Sequence, residues 1–155
     1  MSNAPKYHRK SLRLTDHLVA RAVELSQDDG LGSNVVEWRD VGTVGLTLRI
    51  TRNKPIWYLR RRETTIRMCD VRDIRLDEAR YIAKHVQLAA SRGRNLRDVV
   101  SVLLSYSDLP IAGEVSGTTR FDRDVEAILD HGIAKREHAK NRPVPDGAVL
   151  DLEKR

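Results

Sequence analysis

The spacing of apolar residues changes near residue 35, and this change constrains the fold more than any other feature of the sequence. Over residues 18–25 apolar side chains recur every three or four positions, which is typical of a helix. Later, Leu46, Leu48 and Ile50 alternate with polar residues. Strict alternation is typical of an antiparallel strand with one buried face. The chain therefore combines helices with an antiparallel sheet.

Similar strand patterns flank this one. Residues 35–38, 56–62 and 65–68 are rich in β-branched and aromatic residues, and tight reversals separate the last strands at Asn53-Lys54-Pro55 and near Glu63-Thr64. Helical spacing returns over residues 76–90, ends at Gly93, and resumes after Asn95. Asn95, and Thr15 before the first helix, are residue types favoured at helix N-caps, and we expect both to cap. The sequence thus predicts strands in succession that are backed by a helix.

We predict an α+β fold with a three- to four-stranded antiparallel sheet packed on a helix and followed by additional helices. Residues 1–13 are polar and basic, and we expect them to form a flexible arm. The main domain is expected over residues 14–108. A linker containing proline and glycine follows over 109–119, and a C-terminal helix with an extended tail over 120–155.

The charge is distributed unevenly between these segments. Residues 1–108 carry 20 basic and 13 acidic side chains, a net charge of +7, whereas residues 109–155 carry 8 and 9. Between Arg49 and Arg67 there are seven basic residues and a single acid, Glu63. Such an excess favours a polyanionic partner, because each neutralised phosphate releases counterions. An ordinary solvated face is the alternative reading of the same run.

Alternation divides the predicted sheet into two faces. Trp57, Leu59, Ile66 and Met68 are expected to point inward, and Trp38 and Trp57 to anchor the core. The outward residues and the basic turn supply donors for phosphates and base edges. The candidate DNA-binding residues are Thr47, Arg49, Thr51, Arg52, Lys54, Tyr58, Arg60, Arg62, Thr65 and Arg67.

Three runs together resemble a known family. They are DVGTVGLTLRI at residues 40–50, KPIWYLR at 54–60 and LDEARYIA at 76–83. In order and spacing they are similar to the N-terminal arm-DNA-binding domain of phage and genomic-island tyrosine recombinases (integrases). The resemblance covers residues 12–93, about half of the chain. It implies a three-stranded sheet, backed by a helix, that enters the major groove of double-stranded DNA.

The sequence departs from that family in two ways. The third-strand region, RMCDV at residues 67–71, and the turn before it both lack the usual glycine. The catalytic part of a recombinase also requires a His-x-x-Arg pair and a nucleophilic tyrosine, and no His-x-x-Arg occurs. We therefore expect either a fragment of a longer integrase or a stand-alone binding protein, and not an enzyme.

The sequence motifs indicate no other chemistry. The sequence has no phosphate-binding glycine loop, nucleophile elbow or zinc-protease helix. The five histidines lack ligand spacing and are expected to be surface or cap residues, and Cys69 has no cysteine partner. We expect no catalytic residues, metal or cofactor. No membrane segment or signal peptide is recognised, so a cytoplasmic location is expected.

The same sequence features are compatible with two other functions. The chain could be a protein-interaction or assembly module of a mobile element, in which the helices at residues 95–106 and 121–138 form a homodimer or bind other recombination proteins. RNA binding is a third reading, because basic sheets also bind RNA. It lacks the paired aromatic residues that stack bases in RNA-recognition sheets. Double-stranded DNA is the partner that we favour.

Overall fold

Five strands form one open sheet in the computed structural model, which describes residue 4, residues 6–105 and residues 118–141. The strands are hydrogen-bonded in chain order: β1 (Tyr7–Leu12), β2 (Val35–Asp40), β3 (Leu46–Thr51), β4 (Lys54–Arg60) and β5 (Thr65–Asp70). β1 pairs with β2 in parallel, and every other neighbouring pair is antiparallel. The edges of the sheet are therefore β1 and β5.

The helices are α1 (Asp16–Gln27), α2 (Leu76–Ser91), α3 (Leu96–Ser105) and α4 (Thr118–Lys140), with a short 3-10 helix at Asp29–Leu31. The chain divides into two compact units, Met1–Ser116 and Gly117–Arg155. The first unit contains the sheet and the first three helices. In the second unit the described part is α4, a helix of 23 residues. The predicted α+β class is confirmed.

The ends of the helices follow from local sequence. The hydroxyl oxygen of Thr15 accepts a hydrogen bond from the backbone N–H of Leu18 at 3.2 Å and caps α1. The side-chain oxygen of Asn95 accepts bonds from the N–H groups of Arg97 and Asp98, each at 3.1 Å, before α3. Gly93 follows α2 with a φ of 71°, a conformation that glycine adopts easily. The capping expected at residues 15 and 95 is confirmed.

One face of the sheet packs against α1, α2 and α3. Leu48, Ile50 and Trp57 on that face are completely buried, and Ile82 of α2 is buried with them. Trp38 is 9% exposed, so both tryptophans belong to the core as expected. Burial of this apolar layer is the main contribution to folding, because each large apolar side chain contributes about 1.5–3 kcal/mol. The other face of the sheet carries mostly polar residues.

Two tight turns connect the last three strands. Thr51 pairs with Lys54, and Asn53 between them has a φ of 60°, which asparagine tolerates better than most residues. The backbones of Arg61 and Thr64 bond to each other in both directions, at 2.8 and 3.2 Å. No residue between them has a positive φ, so this turn closes without glycine.

Two expectations about the sheet are wrong. Residues 7–12 are not part of a flexible arm but form strand β1, and the sheet has five strands and not three or four. The strand was missed because Tyr7–Leu12 is polar and largely exposed, so it has no alternation of apolar residues. Its backbone holds it: the N–H of Val35 donates to the oxygen of Lys6 at 2.9 Å, and that of Val41 to Leu12 at 3.1 Å.

Further differences concern smaller features. β4 ends at Arg60, so Arg62 lies in the following turn and not on the strand. His85 is 5% exposed and its ring lies 4.4 Å from that of Tyr81, so its interpretation as a surface residue is wrong. The predicted linker lies outside the described residues except for residues 118 and 119, which begin α4, and the predicted tail from residue 142 onward also lies outside them.

Candidate nucleic-acid interface

The face of the sheet opposite α1, α2 and α3 carries mostly basic and hydroxyl side chains. Residues paired across neighbouring strands face the same side, so the strand register defines the membership of this outer face. Its basic members are Arg9, Arg39, Arg49, Lys54, Arg60 and Arg67, and its hydroxyl members include Thr47, Thr51, Tyr58 and Thr65. The division into faces predicted from alternation agrees with this register.

A buried carboxylate lies in the middle of the outer face. The side chain of Glu37, on β2, is 0% exposed although it points away from the helices. Its Oε1 atom accepts bonds from Nε and Nη2 of Arg49, at 3.0 and 2.9 Å, and from Nη2 of Arg60 at 2.6 Å. Nε of Arg9 lies 3.4 Å from the Oε2 atom. One carboxylate therefore holds three guanidinium groups from three strands, which we call the Glu37 cluster.

The Glu37 cluster retains positive charge and unused donors. Three guanidinium groups and one carboxylate leave a net charge of +2. The Oε2 atom of Glu37 and the Nε atom of Arg60 are both buried without a hydrogen-bond partner, since the Arg9 contact is an ion pair without hydrogen-bond geometry. Each guanidinium has five N–H donors, and Glu37 uses two of Arg49 and one of Arg60. The remaining donors can bind an anion.

Arg49 is also held by an aromatic ring. Its guanidinium carbon lies 4.7 Å from the centre of the Tyr58 ring, a distance typical of a cation–π contact. Burial works to lower the pKa of Arg49, but the hydrogen bonds and charge of Glu37 outweigh it and raise the pKa above its usual value. Arg49 therefore remains charged in a fixed orientation on the sheet.

Five other candidate residues are at least partly accessible to solvent. Lys54, Arg62, Thr65 and Arg67 are exposed, and Thr51 is partly exposed. They supply hydroxyl groups and flexible cations around the fixed cluster.

Two further candidate residues, Arg52 and Thr47, are less available to a ligand than their positions in the sequence suggest. Arg52 is exposed, but its Nη2 atom bonds to the carboxylate of Asp29 at 3.1 Å. Thr47 faces outward by register but is only 1% exposed. It lies on β3, which the Arg60 side chain crosses to reach Glu37 on β2. Long arginine side chains that lie along a sheet cover smaller neighbours, which the alternation of residues cannot indicate.

On the helical side of the sheet, a second buried carboxylate fixes the same scaffold. Asp40 accepts bonds from Nε of Arg80 at 2.8 Å and from the N–H of Leu14 at 3.1 Å, and Arg80 also donates to the Leu14 oxygen at 2.7 Å. Burial works to raise the pKa of Asp40, but Arg80 and the Leu14 N–H outweigh it and lower the pKa. These bonds join the start of α1, the end of β2 and α2.

Three of the residues that carry the family resemblance stabilise the fold. Asp40 and Arg80, from two of the three runs, form the pair described above. Gly45 has a φ of 85°, and a Cβ atom there would lie 2.7 Å from the backbone oxygen of Arg60. Asp40, Gly45 and Arg80 therefore have roles in folding, whereas Arg49, Lys54 and Arg60 of the same runs lie on the outer face.

Sequence reasoning missed several members of the outer face, among them Arg9, Glu37 and Arg39. Arg9 was assigned to a flexible arm, and Glu37 and Arg39 were given no role. The signal for Glu37 is an acid at a mid-strand position that pairs directly with Arg49. That signal becomes visible only when the register between β2 and β3 is known, since a shift of one residue would turn Glu37 toward the core.

Among the described residues no three His, Cys, Asp or Glu side chains lie close enough to hold a metal ion. Burial raises the pKa of the Cys69 thiol to about 11, which disfavours the reactive thiolate. No helix in the described ranges is long and apolar enough to cross a membrane. Comparison of the chain with protein-family models, curated proteins and solved structures gave no match.

Proposed function

We propose that this chain is a double-stranded DNA-binding module whose outer sheet face contacts the duplex. The observation that supports this proposal most is the composition of that face. It presents arginine, lysine, threonine and tyrosine side chains, whereas its central acid, Glu37, is buried beneath three arginines. The other acid on this face, Asp70 at the end of β5, is paired with Arg72. A phosphate backbone is the polyanion that such a surface suits, because arginine binds phosphate oxygens through paired N–H groups.

The width of the sheet limits which strands enter a groove. Five strands at about 4.8 Å spacing are about 19 Å across, whereas the major groove is about 12 Å wide. A two-stranded ribbon fits that groove. The β4–β5 hairpin lies at a free edge of the sheet and carries Tyr58, Arg60, Thr65 and Arg67 on its outer face. We propose that this hairpin enters the groove with β5 toward the bases, and that Arg60 of β4, together with the rest of the outer face, lies along the phosphates.

The resemblance to integrase arm-binding domains supports a role in site-specific recombination or in its regulation. The alternative function is a protein-interaction module in which α3 forms part of the interface, and the structure of α3 does not support it. Val99, Val100, Val102 and Leu103 are all buried, so its apolar side is already used within the chain. We therefore keep DNA binding as the proposed function.

Binding of a labelled DNA duplex, followed by fluorescence anisotropy at several salt concentrations, tests this function. With roughly four to seven phosphate contacts, the plot of log affinity against log salt should have a slope of about −4 to −6. Arg62→Ala and Arg67→Ala should each weaken binding and make the slope shallower by about one. Arg97→Ala, an exposed arginine on α3, removes the same charge from the helical side and should have little effect.

Three outcomes would contradict the proposal. The first is an affinity for DNA that does not depend on salt. The second is a loss of affinity in Arg97→Ala as large as the loss in Arg67→Ala. The third is tighter binding to an RNA hairpin than to the DNA duplex, which would favour the RNA reading. If the hairpin enters the major groove, a bulky substituent in that groove should block binding of the protein to DNA. A ligand that occupies the minor groove should not.

A further inference from the structure

We infer that Glu37 is a positioning residue for phosphate recognition, although it carries the same sign of charge as the ligand. The inference rests on the proposed function and deepens it. Glu37 would hold Arg49 and Arg60 in fixed orientations, so that one phosphate group of the duplex meets an assembled pair of guanidinium groups. The site comprises Arg9, Glu37, Arg49, Tyr58 and Arg60.

The geometry separates this site from an ordinary surface ion pair. Exposed ion pairs hold their side chains loosely and contribute little. Here the Glu37 carboxylate is 0% exposed, and the Arg49 and Arg60 side chains are only 30% and 22% exposed. Both bond to the same Oε1 atom, and the Tyr58 ring lies against the Arg49 guanidinium. The two cations therefore lose little further conformational freedom when they bind a ligand.

The charge count indicates what kind of ligand completes the site. The Glu37 cluster has a net charge of +2, and Glu37 uses only two of the five N–H donors of Arg49 and one of the five of Arg60. Two guanidinium groups placed side by side repel each other unless an anion lies between them or beside them. Glu37 supplies one such anion from below, and a phosphate can supply another from the solvent side. Planar N–H pairs match phosphate oxygens in geometry as well as in charge.

Substitution of Glu37 gives opposite results under the two simplest explanations. If only net charge matters, Glu37→Gln adds one positive charge and should tighten binding to DNA. If Glu37 positions the arginines, the same variant should bind DNA about tenfold more weakly, the loss expected when a charge-assisted contact is misplaced. The sign of the change therefore distinguishes positioning from simple electrostatics.

Asp29→Asn is the matched control. Asp29 is 91% exposed and pairs with Arg52 at the surface, so its substitution adds the same charge without disturbing a buried carboxylate. We expect Asp29→Asn to bind DNA as tightly as the unchanged protein or slightly more tightly. Both variants should be compared at one salt concentration, after thermal unfolding has verified that each is folded.

If Glu37→Gln does not fold, the unchanged protein still tests the inference. The Nε–H resonances of Arg49 and Arg60, assigned by Arg49→Lys and Arg60→Lys, should be sharp without DNA and should shift when a duplex is added. The inference is overturned if Glu37→Gln binds as tightly as Asp29→Asn, or if those resonances do not shift. The proposed function would survive either result, whereas it fails, and the inference with it, if the unchanged protein shows no salt-dependent affinity for DNA.

Discussion

Replacing Arg80 by methionine tests the buried pair that joins α2 to the end of β2. Methionine keeps most of the apolar stem but removes the guanidinium. Asp40, whose side chain is 0% exposed, would then lose the bonds from Arg80 Nε and Nη2 and keep the bond from the Leu14 N–H. A carboxylate that is buried without its counter-charge destabilises the folded state.

The exposure of Arg80 determines how far the free energy of unfolding should fall. Removing one partner of a fully buried ion pair costs about 3–5 kcal/mol. Arg80 is 32% exposed and water can replace part of its contribution, so we expect the free energy of unfolding to fall by about 2–4 kcal/mol. For a unit of this size, such a change lowers the melting temperature by about 10–20 °C.

The difference in the free energy of unfolding can be measured by thermal and denaturant unfolding of Arg80→Met and the unchanged protein. Arg21→Met is the control, because Arg21 pairs with Glu24 at the surface and should contribute less than about 1 kcal/mol. A loss for Arg80→Met as small as that of the control would refute the reasoning.

The pH dependence gives a second check on the same pair. The pKa of Asp40 is lowered in the folded protein, so its contribution to stability is present above the ordinary aspartate pKa, about 3.9, and is lost as the pH falls through the lower folded value. Without Arg80, burial should raise the pKa of Asp40 above the unfolded value. Protonation would then relieve the buried charge, and the stability difference between Arg80→Met and the unchanged protein should shrink toward acidic pH. A difference that does not vary with pH would contradict this assignment.

Two further predictions concern single positions. Gly45→Ala should lower the free energy of unfolding by about 2–3 kcal/mol, because φ is 85° and the added Cβ would lie 2.7 Å from the Arg60 oxygen. A Cβ atom added at Gly42 would meet no atom within 4 Å, so Gly42→Ala should be nearly neutral in the same unfolding assay. Equal losses of stability in the two variants would contradict the argument from backbone strain. Cys69, whose pKa is raised to about 11 by its partial burial, should react with iodoacetamide at pH 8 far more slowly than free cysteine does, and an equal rate would contradict the raised pKa.

The features that could be predicted from the sequence are those that depend on residues close together in the chain. Leu46, Leu48 and Ile50 alternate because one face of β3 is buried, and the caps at Thr15 and Asn95 depend on short-range bonds. β1 could not be predicted, because its polar residues join the sheet through backbone bonds that any sequence can make.

The candidate site was predictable in part for the same reason. The outward direction of Arg49, Arg60 and Arg67 follows from alternation within each strand. The convergence of Arg9, Arg49 and Arg60 on Glu37 depends on the register of four strands, which no local pattern encodes. The burial of Thr47 has the same origin.

The central claim is that the outer face of the sheet binds DNA, and chemical-shift mapping with a short duplex tests it most directly. We predict that the largest backbone amide shifts will occur in the β4–β5 hairpin and its turn, around Arg61 and Thr64, with smaller shifts at β1–β3. Amides of α2 should change little, because that helix packs against the opposite face. Shifts concentrated in α2 or α3, with the strands unchanged, would contradict the claim.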